Sequence, residues 1–343
     1  MLTRETIVEH ARAVGFDLCG IARADRHPKL ARLLEWIAAG RAGEMTYLAD
    51  SADERADPAN VLRSARSVVS LGIVYNTSEP AATAVSRYAW GDDYHDVVRS
   101  RLTTLVQWMA DRAGKGFEAF SCVDNGPIQE RVFAEQAGLG WIGKNTCLIN
   151  PQLGSWMFLA EVLINTELEP DSPGIDQCGT CTRCLEACPT GALVNAYELD
   201  ATRCISYLTI ETRGALPVGW RDATAGRIFG CDICQDVCPW NRRAGEAVDP
   251  SWRPRDRLRG AGVLDLCRLP DEAWRSLIRG SAMRRAGLRR IRRSLAYAAA
   301  ALEPAERTQA LDALGGCASA GFPEVADAIA WARSRSQNDE VTT

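Results

Sequence analysis

Eight of the thirteen cysteines fall in one short stretch with regular spacing, and this stretch constrains the fold more than any other feature. A Cys-x2-Cys-x2-Cys-x3-Cys-Pro run comes first, a lone cysteine follows, and a Cys-x2-Cys-x3-Cys-Pro run closes the stretch. The eight residues are Cys178, Cys181, Cys184, Cys188, Cys204, Cys231, Cys234 and Cys238. A [4Fe–4S] cube binds four thiolates, so eight cysteines suffice for two cubes. We expect loops and short helices here, organised by metal rather than by a large apolar core.

The spacing also predicts which cysteines share a cluster. In bacterial ferredoxins, three cysteines of such a run bind one cluster and the fourth binds the other. The predicted sets are Cys178, Cys181, Cys184 and Cys238 for the first cluster and Cys188, Cys204, Cys231 and Cys234 for the second. Structural zinc is the alternative because it also binds Cys-x2-Cys pairs, but zinc sites rarely use a three-cysteine run closed by Cys-Pro. The stretch therefore indicates a chain that carries electrons.

Length and composition are those of an ordinary globular protein of about two domains. No apolar stretch approaches the ~20 residues that a membrane-spanning helix needs. The first residues contain neither an apolar signal region nor a twin arginine, so we expect a cytoplasmic protein without membrane association. Thirteen cysteines in such a protein indicate metal or redox chemistry rather than a disulfide framework.

The net charge of −4 conceals a strong asymmetry. Residues 251–293 contain thirteen arginines against four acidic residues, a net of +9, which leaves −13 for the rest of the chain. A basic segment on an acidic protein favours a polyanionic partner at one face. The alternative is a solvated helix face, because the chain as a whole uses 37 arginines and only three lysines.

Hydrophobic periodicity divides the chain into three parts and a tail. Residues 1–166 alternate helical and strand patterns, residues 167–250 hold the cluster cysteines, and residues 251–335 are helical with lengths that resemble HEAT-type hairpins. We expect residues 336–343 to form a flexible tail. The main elements expected are helices at Thr3–Val14, Asp93–Ala113, Ile128–Ala137, Glu272–Arg279, Ala282–Ala301, Pro304–Leu314 and Pro323–Arg335, and strands at Ser67–Val74, Gly116–Val123 and Ser155–Ile164.

Two segments approach known motifs without matching them. Gly138-x4-Gly143-Lys144-Asn145 resembles a phosphate-binding P-loop, but that motif needs Ser or Thr after the lysine and a strand before the first glycine. Here Asn145 follows the lysine and a helical pattern precedes the glycine. Asp93-x-His95 begins like the Asp-x-His-x2-Gly motif that ligates cobalt, but valine stands where glycine is required. We interpret His95 as a structural or surface residue.

Three stretches together carry a family resemblance. They are SRYAWGDDYH at 86–95, VDNGPIQER at 123–131 continuing through AGLGWIGKN at 137–145, and CISYL at 204–208 inside the cysteine stretch. In combination they resemble the epoxyqueuosine reductase family, the cobalamin-dependent enzymes of the last step of queuosine synthesis in tRNA. The resemblance extends from about Gly15 to Arg293.

The resemblance implies an α+β fold with three parts. These are a nitroreductase- and reductive-dehalogenase-like α/β domain that binds cobalamin, a ferredoxin-like domain with two [4Fe–4S] clusters, and a short HEAT-like helical region. It implies base-off cobalamin between the first domain and the clusters. The implied substrate is the anticodon loop of the tRNAs for aspartate, asparagine, histidine and tyrosine. Flavodoxin or ferredoxin is the implied electron donor, and we expect a monomer.

Asp124 is the residue expected to donate a proton to the epoxide oxygen. It stands at the end of a predicted strand, before the Asn125-Gly126-Pro127 turn. A carboxylic acid that donates at neutral pH needs a raised pKa, which burial beside a cofactor achieves. The alternative from the residues alone is an Asx-turn that caps the Gly-Pro bend.

Other site residues follow from the resemblance or from the charge pattern. The residues expected to contact cobalamin, besides Asp124, are Arg55, Arg131, Leu148, Leu159, Ser206 and Arg213. The residues expected to contact tRNA are Arg284, Arg285, Arg289, Arg290, Arg292 and Arg293, whose phosphate contacts position the RNA without reading its sequence.

Two other classes of function share parts of this pattern. A reductive dehalogenase that acts on organohalides uses a corrin and clusters, but it normally has a twin-arginine leader and no use for an arginine-rich tail. A non-catalytic electron carrier leaves the first ~165 residues without a task. We therefore favour a tRNA-modifying oxidoreductase.

Overall fold

The computed structural model describes residues 2–79, 81 and 84–339. Its centre is a four-stranded antiparallel sheet in the order β1-β2-β6-β3, and two short hairpins, β4-β5 and β7-β8, lie outside it. The strands are β1 (Leu18–Arg23), β2 (Ser67–Val74), β3 (Ala119–Cys122), β4 (Trp141–Ile142), β5 (Leu148–Ile149), β6 (Met157–Ile164), β7 (Leu193–Asn195) and β8 (Glu198–Leu199). The predicted strand at Ser67–Val74 is confirmed at both ends.

Helices cover both faces of this sheet, which explains why β2 is buried along its whole length. The helices of this part are α1 (Arg4–Ala13), α2 (Pro28–Ala38), α3 (Tyr47–Asp50), α4 (Ala52–Ala56), α5 (Tyr94–Ala113) and α6 (Glu130–Gln136). One core packs α1 and α5 against the sheet through side chains such as Ile7 and Leu105. The other core packs α6 and α2 through Phe133 and Leu30.

The cysteine stretch folds as short helices and turns, as its spacing predicts. Its α-helices are α7 (Arg183–Ala187), α8 (Ile205–Ile210), α9 (Val218–Arg221) and α10 (Ile233–Asp236). Helices α7 and α10 pack against each other, which brings the two cysteine runs together. Cys204 directly precedes α8.

The C-terminal region is helical, in agreement with the prediction. Its helices are α11 (Val263–Arg268), α12 (Asp271–Ile278), α13 (Gly287–Ala299), α14 (Pro304–Gly315) and α15 (Pro323–Asp339). Helix α15 continues four residues into the segment 336–343 that was expected to be a tail, because 334–339 contains no proline or glycine to stop it. Residues 340–343 lie outside the described residues.

One large apolar core joins the C-terminal helices to the rest of the molecule. It contains Trp274 and Tyr297 from α12 and α13, Leu208 from α8, and Val85 and Trp90 from the segment that precedes α5. The helical region is therefore seated against both the cluster stretch and the start of α5. Within the described part of the chain, no helix has the length and apolarity that crossing a membrane requires.

Candidate active site

Asp124 lies on a tight loop just beyond the end of β3. Its backbone has a φ of 56°, a left-handed conformation that aspartate tolerates better than most residues. Its N–H donates to Oε1 of Glu130 at 2.6 Å. Gly126 completes the loop, because a Cβ there would lie only 2.4 Å from Sγ of Cys122. Backbone strain of this kind is concentrated at functional sites, which makes the Asp124 loop a candidate for one.

The carboxylate of Asp124 has two side-chain partners at the start of α5. It accepts a hydrogen bond from the hydroxyl of Tyr94 at 2.7 Å and lies 3.0 Å from Nε2 of His95. Nδ1 of His95 is 2.7 Å from Oδ1 of Asp93, which also caps the helix. The Asp124 side chain is 54% exposed although protein surrounds it on most sides. It therefore forms the floor of an open cleft.

Charge pairing sets the protonation of this group. Burial lowers the pKa of His95, but hydrogen bonds to Asp124 and Asp93 and their negative charges outweigh burial and raise it to about 9. Burial raises the pKa of Asp124, but hydrogen bonds from His95 and Tyr94 outweigh it and leave this pKa below its usual range. The expectation of a raised pKa for Asp124 is thus wrong for this arrangement. At neutral pH the shared proton belongs to His95.

Two further acids lie beneath the loop. Burial and then the charge of Asp124 raise the pKa of Glu130 to about 8. Glu161, opposite Cys122 in the register of β6 and β3, is fully buried, and burial raises its pKa well above the usual range. Both carboxyls are therefore protonated near neutral pH. The site combines one ionised acid at its surface with two neutral acids below.

Sequence reasoning did not predict that Tyr94, His95 and Glu130 all contact Asp124. His95 was interpreted as a structural or surface residue, yet its imidazole is the direct partner of Asp124. The available signal was the Asp93-x-His95 spacing at a helix start, which places an acid on one imidazole nitrogen. Nothing in the sequence shows that Asp124 meets the other nitrogen from 29 residues away.

The cysteines fall into two groups in space. In the first group, the thiols of Cys178, Cys184 and Cys238 lie close enough to interact electrostatically. Cys181 is beside them, because its N–H donates to the Cys178 carbonyl. In the second group, electrostatic interactions connect the thiols of Cys188, Cys204, Cys231 and Cys234. Eight thiols in two groups have the number and chemistry that two [4Fe–4S] clusters need, and the ligand sets themselves stay a prediction.

The turn at 143–148, dismissed above as a P-loop, connects the two cysteine groups. The ammonium of Lys144 donates to the carbonyls of Gly179 and Cys181 at 2.7 and 3.0 Å, in the loop of the first group. The amide of the buried Asn145 donates to the carbonyl of Cys234 at 3.4 Å, in the second group. Neighbouring residues of one turn thus contact both groups.

The same turn also reaches the aspartate loop. Arg131 donates to the carbonyl of Thr146 at 2.6 Å, and Arg131 follows Glu130, the residue that holds the Asp124 N–H. The thiol of Cys147 lies beside that of Cys234. A series of neighbouring contacts therefore connects the aspartate loop to the second cysteine group.

The residues expected to contact cobalamin lie on several elements, and all but one are polar or partly exposed. Arg55 is 8% exposed and donates from Nε to the Ser51 hydroxyl at 2.9 Å. Its positive charge acts on the carboxyl of Glu130. Leu159 is half-buried on β6, Ser206 lies on α8, and Arg213 projects into solvent with 82% of its side chain exposed. Leu148 is the exception, because only 3% of its surface is exposed and it packs in the core with α6.

The six C-terminal arginines expected to contact tRNA do not form one surface. Arg292 and Arg293 are fully buried, so their assignment to tRNA is wrong. Arg292 pairs with Asp271 at 2.9 Å. Arg293 donates to the carbonyls of Leu208, Thr212 and Gly214. A buried charge needs such hydrogen-bond or ion-pair partners, and these contacts connect α13 to the neighbouring elements.

The other four arginines are accessible to different degrees. Arg284 is the most open, with 67% of its side chain exposed, 3.7 Å from Asp93. Arg285 pairs with Glu211 through two bonds of 2.9 Å, and Arg289 pairs with Glu324. Arg290 is half-buried and donates to backbone carbonyls, among them that of Glu211. Arg284 and Arg285 lie beside the cleft, since the charge of Arg284 acts on Asp93 and that of Arg285 on Asp124.

Comparisons with known proteins agree with both halves of the site. Residues 55–125 match the family model described as "Epoxyqueuosine reductase QueG, DUF1730". Residues 177–241 match the model of a 4Fe-4S double cluster binding domain, which favours iron–sulfur clusters over zinc. The epoxyqueuosine reductase of Pseudomonas aeruginosa is 40% identical over 346 residues, which cover 96% of this chain and 94% of the relative.

Solved structures give the same result. A crystal structure of epoxyqueuosine reductase with an epoxyqueuosine-modified tyrosine tRNA stem loop has a TM-score of 0.78 and 31% identity, with coverage of 96% of this chain and 93% of that one. A Bacillus subtilis epoxyqueuosine reductase, solved with the loop of its catalytic aspartate swung out of the active site, has a TM-score of 0.77 and 30% identity, with coverage of 96% and 93%. The resemblance found in the sequence is confirmed, and the chain belongs to the epoxyqueuosine reductase family.

Proposed function

We propose that this protein reduces epoxyqueuosine to queuosine in the anticodon loop of tRNA. The observation that carries the proposal is the group of Asp93, Tyr94, His95 and Asp124 on the floor of an open cleft that adjoins a double-cluster domain. A relative that is 31% identical binds a tRNA stem loop with the same modified base. The exposed Arg284, 3.7 Å from Asp93, supplies positive charge for an RNA beside the cleft.

The reaction replaces an epoxide by an alkene. It consumes two electrons and two protons, and the epoxide oxygen leaves as water. The pair of His95 and Asp124 supplies the first proton, and solvent water, which reprotonates the pair, supplies the second. Asp124 reaches into the cleft, and His95 holds a proton at Nε2, 3.0 Å from the carboxylate. As charge develops on the epoxide oxygen, a proton passes to it from this pair, and Tyr94 keeps the carboxylate in position.

The electrons require cofactors. We assign Cys178, Cys181, Cys184 and Cys238 to one [4Fe–4S] cluster and Cys188, Cys204, Cys231 and Cys234 to the other. Cobalamin, when bound in the cleft, supplies the strongly reducing two-electron chemistry that epoxide deoxygenation needs. We propose that Arg55, Arg131, Ser206 and Arg213 would contact it. A low-potential carrier protein such as flavodoxin or ferredoxin is the proposed donor, and the protein acts as a cytoplasmic monomer.

The function is tested by an anaerobic assay on a stem loop that carries epoxyqueuosine, with reconstituted clusters and a low-potential reductant. Reactions with and without cobalamin are digested, and the nucleosides are identified by mass. We expect loss of one oxygen only when cobalamin is present. Intact clusters and bound cobalamin without conversion would contradict the proposed substrate and favour an organohalide.

Asp124→Asn tests the assignment of the proton donor in the same assay. The substitution removes the acid but keeps a polar side chain of equal size, so we expect turnover to fall by about 10² to 10⁴ while cobalamin binding, read from its absorption spectrum, is retained. Asp111→Asn on the exposed far end of α5 is the matched control. Unchanged turnover of the Asp124 variant would exclude its role as donor.

A further inference from the structure

An exposed aromatic ring lies at the rim of the cleft. Tyr47, the first residue of α3, leaves 43% of its surface exposed and belongs to none of the apolar cores described above. The guanidinium of Arg285 lies over its ring, with the central carbon 5.1 Å from the ring centroid. Glu211 holds this guanidinium by two bonds of 2.9 Å. Two planar groups from distant parts of the chain are thus fixed against each other at the surface.

This pair is close to the reacting end of the cleft. Burial, then the charge of Glu211 and more weakly that of Asp124, raise the pKa of Tyr47, while the charge of Arg285 opposes the shift. The charge of Arg285 also contributes to the lowered pKa of Asp124. A short chain of hydrogen bonds also connects Tyr47 to Arg55. Ser51 donates to the Tyr47 carbonyl at 2.8 Å, and Arg55 donates to the Ser51 hydroxyl at 2.9 Å. Tyr47 is therefore connected to Arg55 through its backbone and to Arg285 through its ring.

Its chemistry suits a nucleobase better than a phosphate. Glu211 neutralises Arg285, so this guanidinium offers a flat face and hydrogen-bond donors but little net charge. Bases splayed out of single-stranded RNA stack on aromatic rings and on guanidinium planes. More exposed positive charge nearby comes from Arg213, with 82% of its side chain exposed and Glu44 3.9 Å away, and its charge acts on Arg290 as that of Arg285 does.

We propose that Tyr47 and Arg285 form a stacking platform for an anticodon-loop base that neighbours the modified base. The inference rests on the proposed function, because it needs an RNA loop whose modified base enters the cleft above Asp124. The platform then holds an adjacent base outside the cleft and so positions the reacting base. Stacking does not depend on counterion release, so its contribution to affinity is independent of salt.

The proposal is tested by binding of an epoxyqueuosine stem loop that carries fluorescent 2-aminopurine at one position beside the modified base. Tyr47→Leu should weaken binding about tenfold, remove the quenching of 2-aminopurine in the complex, and leave the salt dependence unchanged. Tyr47→Phe keeps the ring and should bind and quench like the wild type. Thermal melts establish that each variant is folded.

Phe322 provides a matched control. It is 41% exposed and lies under the guanidinium of Arg289, which is paired with Glu324, so the arrangement repeats that of Tyr47, Arg285 and Glu211 at another place. Phe322→Leu should leave affinity and quenching unchanged. Wild-type affinity and quenching in Tyr47→Leu, or equal losses in both leucine variants, would overturn the platform.

The same samples separate this inference from the proposed function. If the wild type removes the epoxide oxygen but Tyr47→Leu binds normally, the function stands and the platform is wrong. If the wild type neither binds nor converts the stem loop, the function itself is wrong, and the platform is excluded with it.

Discussion

In the proposed mechanism, His95 holds the proton of this site and Asp124 passes it to the substrate. An isolated aspartic acid would need a raised pKa to hold a proton at neutral pH, whereas here the pKa of His95 is raised to about 9 and that of Asp124 is lowered. The lowered value does not prevent catalysis, because an alkoxide that forms when the epoxide opens is a far stronger base than either partner. The imidazolium keeps the proton available over the whole neutral range.

The raised pKa of His95 predicts how stability changes with pH. A group whose pKa is higher in the folded state stabilises the protein fully below its unfolded pKa of 6.5 and loses that contribution as pH rises through about 9. After allowance for solvent screening, we expect on the order of 1 kcal/mol, or about 2 °C in Tm. Melting curves from pH 6 to 10 should show this extra fall in the wild type relative to His95→Gln.

Glu130 titrates near pH 8 and remains in both proteins, so the comparison removes most of its effect. An identical pH dependence in the two proteins would show that His95 is not the charged partner of Asp124. Asp93→Asn supplies a second check, because loss of the other acid should lower the pKa of His95 and move the fall to lower pH.

Sequence reasoning located Asp124 but not the reason for its position. The family motif around 123–131 identifies the aspartate, and the turn residues after it identify a loop. The partnership with His95 depends on how α5 docks beside β3, which is a tertiary contact. One histidine near a helix start is usually a cap or a surface residue, so local patterns could not distinguish the two roles.

At the scale of single elements, the turn at 143–148 also makes contacts that local sequence patterns do not predict. Its near-match to a P-loop was correctly rejected from local rules. Its actual contacts could not be predicted, because Lys144 bonds to backbone carbonyls 35 and 37 residues away and these carry no side-chain signature. The regular elements were easier: β2 is confirmed at both ends, and α13 was expected as part of one longer helix.

The position of Lys144 predicts an effect on the first cluster. A fixed ammonium beside a negatively charged cluster stabilises its reduced form, so Lys144→Gln should lower the reduction potential. We expect the ratio of reduced to oxidised first cluster to fall about tenfold at a fixed potential, which corresponds to 59 mV for one electron. A redox titration followed by electron paramagnetic resonance measures this directly.

The second cluster should be affected less, because Lys144 bonds only to the loop of the first cysteine group. Lys115→Gln, an exposed lysine beyond α5, is the control for general loss of charge. An unchanged or higher potential of the first cluster in Lys144→Gln would contradict an electrostatic role for this side chain.

At the scale of the whole molecule, the basic segment 251–293 contains both exposed and buried arginines, and composition alone does not distinguish them. Its net charge correctly indicated an RNA-binding family, but part of that charge never reaches the surface. Arg293 lies inside the joint between α13 and the segment that follows α8, and Arg292 pairs with Asp271 at the start of α12. Whether an arginine of α13 is buried depends on which face of the helix packs against its neighbours. Because arginines occur on both faces, the sequence shows no clear apolar stripe that identifies the buried face.

This division predicts opposite behaviour for two arginines of the same segment. Arg284→Ala removes an exposed charge, so Tm should stay constant while the slope of log K against log salt for the stem loop falls by about 0.7 to 0.9. Arg292→Met leaves Asp271 buried without its guanidinium, so the protein should lose about 3–5 kcal/mol of stability with no change of slope. Fluorescence anisotropy across a salt series and thermal melts measure both quantities. A smaller slope in Arg292→Met at unchanged stability would mean that this side chain reaches RNA, and the buried joint described for α13 would then be wrong.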